Sequence, residues 1–182
     1  MLISGNPTTG LAGALAKLYP DAEFASRKTG YDLTDKQGHD KFAKTALAHN
    51  TIIINSALWK FNQTVLLDAV YKACVGENHM AYIVCIGSTT DRVCKGAAWL
   101  YNAEKKALRD YCNSLSLIGV WQHAPRVSYI SFGTLSNNQE KHPERTCMDI
   151  YTAATYVKWM IDQPMHINEI SIDPLQRAEK NE

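Results

Sequence analysis

MLISGNPTTGLAGALAKLY, residues 1–19, carries the architecture in its first turn. An apolar run, MLIS (1–4), opens directly into Gly5, and apolar or small residues then recur at helical spacing over 9–19. A strand that feeds a helix through a glycine-rich turn is the opening of an α/β layer. The chain continues in kind. EFAS (23–26) reads as a second strand and GYDLT (30–34) as a third after a very short turn. DKQGHDKFAKTALAH (35–49) predicts a helix with Asp35 at its N-cap and Phe42, Ala46 and Leu47 inward. TIIINSA (51–57) has the continuous apolar core of a strand covered on both faces. A helix over 63–75, a buried strand AYIVCIGS (81–88) and a helix from Ala97 to Leu117 follow. RVSYISFG (126–133) is a strand, 146–162 a helix and INEISID (167–173) a last strand, with a polar tail from Pro174. The alternation predicts a doubly wound parallel sheet of about seven strands with helices on both faces, as a single domain over 1–182.

Composition narrows the partners. Apolar residues make up 46% and charged ones 20%, the balance of a soluble globule with a substantial core. With a net charge of +1 and its cations dispersed, the chain has no basic face for nucleic acid. It has neither an apolar run long enough for a membrane span nor a signal segment, so it is expected in the cytoplasm and off the membrane. Cys74, Cys85, Cys94, Cys112 and Cys147 are odd in number and lack a C-x-x-C, which reads as reduced thiols with no metal site.

Four stretches carry chemistry. SGNPTTGLAG puts Gly5, Gly10 and Gly13 at a strand-to-helix turn, where backbone N–H groups and a helix N-terminus suit a phosphate. Its plain alternative is a strand-to-helix turn that binds no ligand. At the end of the second strand stand Ser26, Arg27 and Lys28, where an NAD reader carries a carboxylate; cations there suit a 2′-phosphate, or are simply solvated. YNAEK (101–105) places Tyr101 and Lys105 on one helical face. An ammonium near a phenol favours the phenolate and is expected to lower its pKa from ~10, which suits proton transfer. Ser88 ends a buried strand 13 residues earlier, where its hydroxyl could meet a substrate oxygen or cap the next loop.

These stretches, in this order, resemble the short-chain dehydrogenase/reductase family over nearly the whole chain, as an unusually short member. The resemblance implies that Gly5, Thr8, Thr9, Gly10 and Leu11 cradle a pyrophosphate, with Ser26, Arg27 and Lys28 selecting NADP(H) over NAD(H). YDLTD (31–35) is similar to the segment whose Asp contacts adenine, which points to Asp32 with Leu33. INSA (54–57) resembles the strand end beside the cofactor, giving Asn55, Ser56 and Ala57. SFGT (131–134) stands where the family has Pro-Gly and adds Gly133 and Thr134. Ser88, Tyr101 and Lys105 match the catalytic residues, and Asn62, 26 residues before Ser88, fits the catalytic asparagine by spacing, with a helix cap as its plain reading. The implied activity is hydride transfer between nicotinamide and a small carbonyl or alcohol substrate, by a homodimer or homotetramer.

The chain departs from the family in three places. Four residues separate Gly5 from Gly10, and Pro7 removes one N–H donor. Arg27 and Asp32 leave no room for a helix between the second and third strands, as in nucleotide-sugar reductases and epimerases. Ala57 and Asn62 are nearly adjacent, and the loop after SFGT is brief, so the substrate loops are reduced. A nucleotide-sugar reductase or epimerase and a non-catalytic dinucleotide-binding regulator are the competing readings. Against the first stands the missing sugar-binding region; against the second, the retained tyrosine and lysine. LSLIGVW (115–121) is either a dimer contact or a buried helix end.

Overall fold

Parallel strands need crossover connections, and the chain supplies a helix for each of them. The computed structural model describes residues 1–56, 58–92 and 99–174. Its strands are β1 (Leu2–Ser4), β2 (Glu23–Ala25), β3 (Thr51–Ile54), β4 (Tyr82–Ser88), β5 (Arg126–Phe132) and β6 (Glu169–Ile172). Its helices are α1 (Gly10–Leu18), α2 (Lys36–Ala46), α3 (Asn62–Gly76), α4 (Leu100–Trp121) and α5 (Ile150–Ile161). The six strands run in the order β2-β1-β3-β4-β5-β6, all neighbours parallel. The strand order reverses between β1 and β3, and a sheet of this kind offers its ligand crevice at the carboxyl ends of those strands.

Side-chain alternation divides the core between the two faces. Ile52, Ile54, Ile83 and Tyr129 pack with Phe42 of α2, Leu67 of α3 and Leu108 of α4. Ile53, Val84, Ile130 and Phe132 point the other way, onto Leu15 of α1 and Val157 and Met160 of α5. This two-sided burial explains why β3 and β4 read as unbroken apolar runs. The expected cap on α2 is present: the Asp35 carboxylate accepts from the Gly38 N–H at 2.7 Å.

Two expectations are corrected. GYDLT is not a strand, so the sheet has six strands rather than seven. Gly30 adopts a left-handed conformation (φ 83°) after a short 3-10 turn, Arg27–Thr29. Asp32 Oδ1 then accepts from the N–H and hydroxyl of Thr34. These local bonds turn the backbone away from a ladder, while Tyr31 and Leu33 anchor the segment in the core. Helix α4 runs on to Trp121, past the expected end at Leu117, and LSLIGVW is its last turns. That segment is not a buried end, because Leu117, Val120 and Trp121 are exposed. Ala57, Cys94, the expected helix start at Ala97 and tail residues 175–182 lie outside the described residues.

Candidate active site

Three strand ends and two helix starts converge on one cleft. Ser4, the last residue of β1, is fully buried, and its hydroxyl accepts from the N–H groups of Asn55 and Ser56 at 2.8 and 3.0 Å. The bond ties the end of β1 to the chain leaving β3 and holds the crevice edge in register. Gly5 follows at φ 141°, where a Cβ would meet Ala12 Cβ at 2.8 Å and Asn55 Nδ2 at 2.9 Å. Only glycine lets the turn close this tightly. Asn6 Oδ1 accepts from the Thr8 N–H and hydroxyl. Thr9 caps α1 with no side-chain bond, so the helix itself leaves its first N–H groups facing the loop. This is a cradle that fits a dinucleotide pyrophosphate.

Beside it lies a cavity of about 360 Å³ lined by Gly5, Ser26, Arg27, Lys28, Asp32 and Leu33. Hydrogen bonds from Thr34 hold the Asp32 carboxyl below the usual carboxylate range. The cluster joins two cations and an anion on short turns, which fits the adenosine end of a dinucleotide carrying a 2′-phosphate.

A second cavity, about 350 Å³, opens over the ends of β4 and β5 and is lined by Leu11, Asn55, Ser88, Tyr101, Lys105 and Thr134 among others. Ser88 ends β4, and its Oγ accepts from the Thr90 N–H and hydroxyl at 3.4 and 3.1 Å. Tyr101 sits in the first turn of α4, in the same cavity as Ser88 and flanked by the indoles of Trp59 and Trp99 at 5.5 and 5.1 Å. One turn on, Lys105 brings its Nζ to 5.4 Å from the phenol ring centre. Gly133 and Thr134 border the same cavity from the chain beyond β5.

The electrostatics correct one expectation. Burial raises the Tyr101 pKa above its ordinary value; the Ser88 hydrogen bond opposes the shift, and the carboxylates of Glu104 and Asp91 add to it. The phenol therefore rests protonated, not depressed by Lys105. The lysine itself yields: burial brings it down to about 8, against the opposing pull of Glu104 and Asp91 among others.

Thr8, Thr9 and Gly10 line a groove between α1 and the start of α5, next to the first cradle rather than inside the second cavity. Asn62 stands apart from Lys105. Its Nδ2 donates to Trp59 O at 2.8 Å, and it borders a groove between α2 and α3. Its neighbour Gln63 makes the contact to the lysine: Lys105 Nζ donates to Gln63 Oε1 at 2.6 Å. Gln63 Nε2 in turn donates to the carbonyls of Ile54 and Ile86, at 3.1 and 2.9 Å. A buried side-chain amide thus joins the ends of β3 and β4 to the lysine of α4. The sequence carried a signal for it, since Gln63 falls on the buried stripe with Leu66, Leu67, Val70 and Cys74, whereas Asn62 lies one position off.

Glu104 is the other residue that pattern reading missed. It is 4% exposed, and its Oε1 accepts from the Lys60 N–H at 2.7 Å. Lys60 and Phe61 both hold left-handed backbone (φ 59°) just before α3, so Glu104 secures the strained turn that delivers Gln63.

No family model matches this chain, and none of the curated proteins compared with it does. Solved structures do. A short-chain dehydrogenase from Burkholderia cenocepacia J2315, in complex with NADP, aligns with a TM-score of 0.74 at 15% identity, covering 93% of this chain and 86% of that one. The fold is that of the short-chain dehydrogenases. A short-chain dehydrogenase/reductase from Vibrio parahaemolyticus matches at 0.72 and 14% identity, covering 95% and 99% of the two chains. An alcohol dehydrogenase from the archaeon Thermococcus sibiricus, complexed with 5-hydroxy-NADP, matches at 0.71 and 13%, covering 98% and 97%. Among the described residues, no helix of this short-chain dehydrogenase fold is long and apolar enough to cross a membrane.

Proposed function

We propose that this chain is a short-chain dehydrogenase/reductase that uses NADP(H) to interconvert a small carbonyl compound and its alcohol. The observation that carries the reading is the meeting of Ser88, Tyr101 and Lys105 in one cleft at the carboxyl edge of the sheet, beside the cradle at Gly5. When bound, the nicotinamide dinucleotide supplies or accepts the hydride. Ser88, in the same cavity as the phenol, holds the substrate oxygen. Tyr101, protonated at rest, gives its proton to that oxygen in reduction and takes one back in oxidation. Lys105, with a pKa of about 8, is mostly an ammonium at neutral pH and stabilises the phenolate that forms. Gln63, rather than Asn62, fixes the lysine in place.

The cofactor assignment follows the chemistry of each subsite. Gly5, Gly10 and Leu11 open the first helix to a pyrophosphate. Ser26, Arg27 and Lys28 take the 2′-phosphate, and Asp32 with Leu33 takes the adenine edge. Two of the similar structures are complexes with NADP or 5-hydroxy-NADP, which supports the dinucleotide class. The exposed apolar end of α4, Leu117, Val120 and Trp121, supports a homo-oligomer. The thiols of Cys74, Cys85, Cys112 and Cys147 are all free, which fits the reducing cytoplasm.

Equilibrium titration tests the cofactor, and NADPH should bind at least about tenfold more tightly than NADH. A preference for NADH would refute the roles of Arg27 and Lys28. Turnover across aldehydes, ketones and oxo esters tests the chemistry. Tyr101→Phe should lose about a hundredfold or more in kcat while NADPH affinity holds. Wild-type turnover by the Phe variant would overturn the mechanism.

A further inference from the structure

The cleft over Ser88 has an electrostatic bias that proton transfer does not use. Among the described residues, its ionisable lining apart from Tyr101 is Lys105, His142 and Arg145, with no Asp or Glu. Lys105 is engaged on the floor by Gln63. His142 and Arg145 come from the connection between β5 and α5, which the structure places at 133–149 and so longer than the brief loop expected after SFGT. Leu135 pairs with Met148 as an isolated parallel bridge, and the Met148 N–H donates to Thr134 O at 2.8 Å, closing the base of the loop. Within the loop, Gln139 Nε2 donates to the carbonyls of both His142 and Arg145, at 3.3 and 3.1 Å. One side-chain amide thus sets the backbone that carries both residues.

The carboxylate of Glu144 lies 3.2 Å from Arg145 Nε and 3.8 Å from His142 Nδ1, outside the cavity lining. Its side chain is 63% exposed, so its hold on Arg145 is the weak kind that solvent screens. A guanidinium presents a planar fork of donors that matches a carboxylate, and a described lining that carries cations and no acid favours that occupant. The cavity, about 350 Å³, reaches from Ser88 to Arg145 and is shared with the expected cofactor residues Leu11, Asn55 and Thr134.

We propose that the substrate is an oxo acid or hydroxy acid: its carboxylate is held by Arg145 with His142 beside it, while its carbonyl or hydroxyl meets Ser88 and Tyr101. This inference rests on the oxidoreductase reading above and adds the substrate class. Arg145 is then a specificity residue, set apart from the proton-transfer pair.

The test compares pyruvate, acetoacetate and levulinate with their methyl esters, by calorimetric titration of the free and the NADP-saturated protein, in the wild type and Arg145→Met. NADPH is titrated in parallel. In at least one pair the acid should bind about tenfold or more tightly than its ester. Arg145→Met should erase that difference by weakening the acid alone, leaving the ester, NADPH and the melting temperature unchanged. Esters binding as well as acids in every pair would overturn the inference. So would an equal loss of NADPH affinity in the variant, because the guanidinium would then serve a cofactor phosphate. Failure of NADPH to bind at all would refute the oxidoreductase reading instead, and the acid–ester comparison on the free protein would still decide this one.

Discussion

Replacing Gln63 with leucine removes one side chain but disconnects three elements. Gln63 is buried and makes three hydrogen bonds: to Ile54 O, to Ile86 O and from Lys105 Nζ. Each neutral bond contributes about 1 kcal/mol, and the bond from the ammonium about 1.5–3 kcal/mol, so Gln63→Leu should destabilise the fold by about 3–5 kcal/mol. The apolar side chain offsets part of this by burial on the α3 stripe beside Leu67. Urea unfolding measures the loss as a shift of midpoint at constant slope. A double-mutant cycle with Lys105→Met then isolates the amide–ammonium bond, whose coupling should be about 1.5–3 kcal/mol. With the lysine already gone, Gln63→Leu strands no ammonium and loses only the two carbonyl bonds. A total below about 1 kcal/mol, or a coupling within about 0.5 kcal/mol of zero, would refute the claim that Gln63 organises the lysine.

Three further outcomes follow from the same geometry. Ser4→Ala strands the part-buried N–H groups of Asn55 and Ser56 and should cost about 1–3 kcal/mol in urea unfolding; a cost under about 0.5 kcal/mol would show that water or a neighbour replaces the hydroxyl. Gly87→Ala puts a methyl 1.9 Å from Tyr129 Oη, and should displace the phenol from Asp91, costing about 3 kcal/mol or more; a melting temperature matching wild type would contradict it. Lys105 titrates near 8 folded and near 10.5 unfolded, so the unfolded chain binds more protons between those values and stability rises with pH there. Measured against Lys105→Met, which cancels the cysteines and tyrosines that also titrate in that range, wild type should gain about 1 kcal/mol per unit from about pH 8 to about pH 10, and a flat difference would refute the burial of a charged lysine.

Pattern reading recovered what repeats. Strand β3 and strand β4 declare themselves because both faces are covered, and Asp35 because an N-cap is a local bond between near neighbours. Tyr101 and Lys105 were legible because a single helical turn fixes their relation. GYDLT failed as a strand for a converse reason: its apolar residues are anchors for a turn, and the decisive features are the positive φ of Gly30 and the Asp32–Thr34 bonds. Apolar content marks burial, and burial does not distinguish a ladder from an anchored loop.

The candidate site escapes pattern reading at Gln63 and Glu104, which share apolar stripes with the one polar neighbour that is legible, Lys105. Gln63 lies in register with Leu66, Leu67 and Val70, and Glu104 and Lys105 lie with Leu108 and Cys112. A periodicity argument counts such positions as core and stops there. Physics requires more, because a buried amide, carboxylate or ammonium must find partners or be expelled. Three such residues cannot all be satisfied by their own helices. They must be satisfied across elements: Glu104 on the Lys60 N–H, Lys105 on Gln63, and Gln63 on two strand carbonyls. Those bonds fix α3 and α4 against β3 and β4, so the lysine is placed by the same contacts that hold the layer together. A polar residue on an apolar stripe is therefore itself a mark of a site, and Gln63, one position from the asparagine that spacing favoured, is the case where the stripe discriminates better than the spacing.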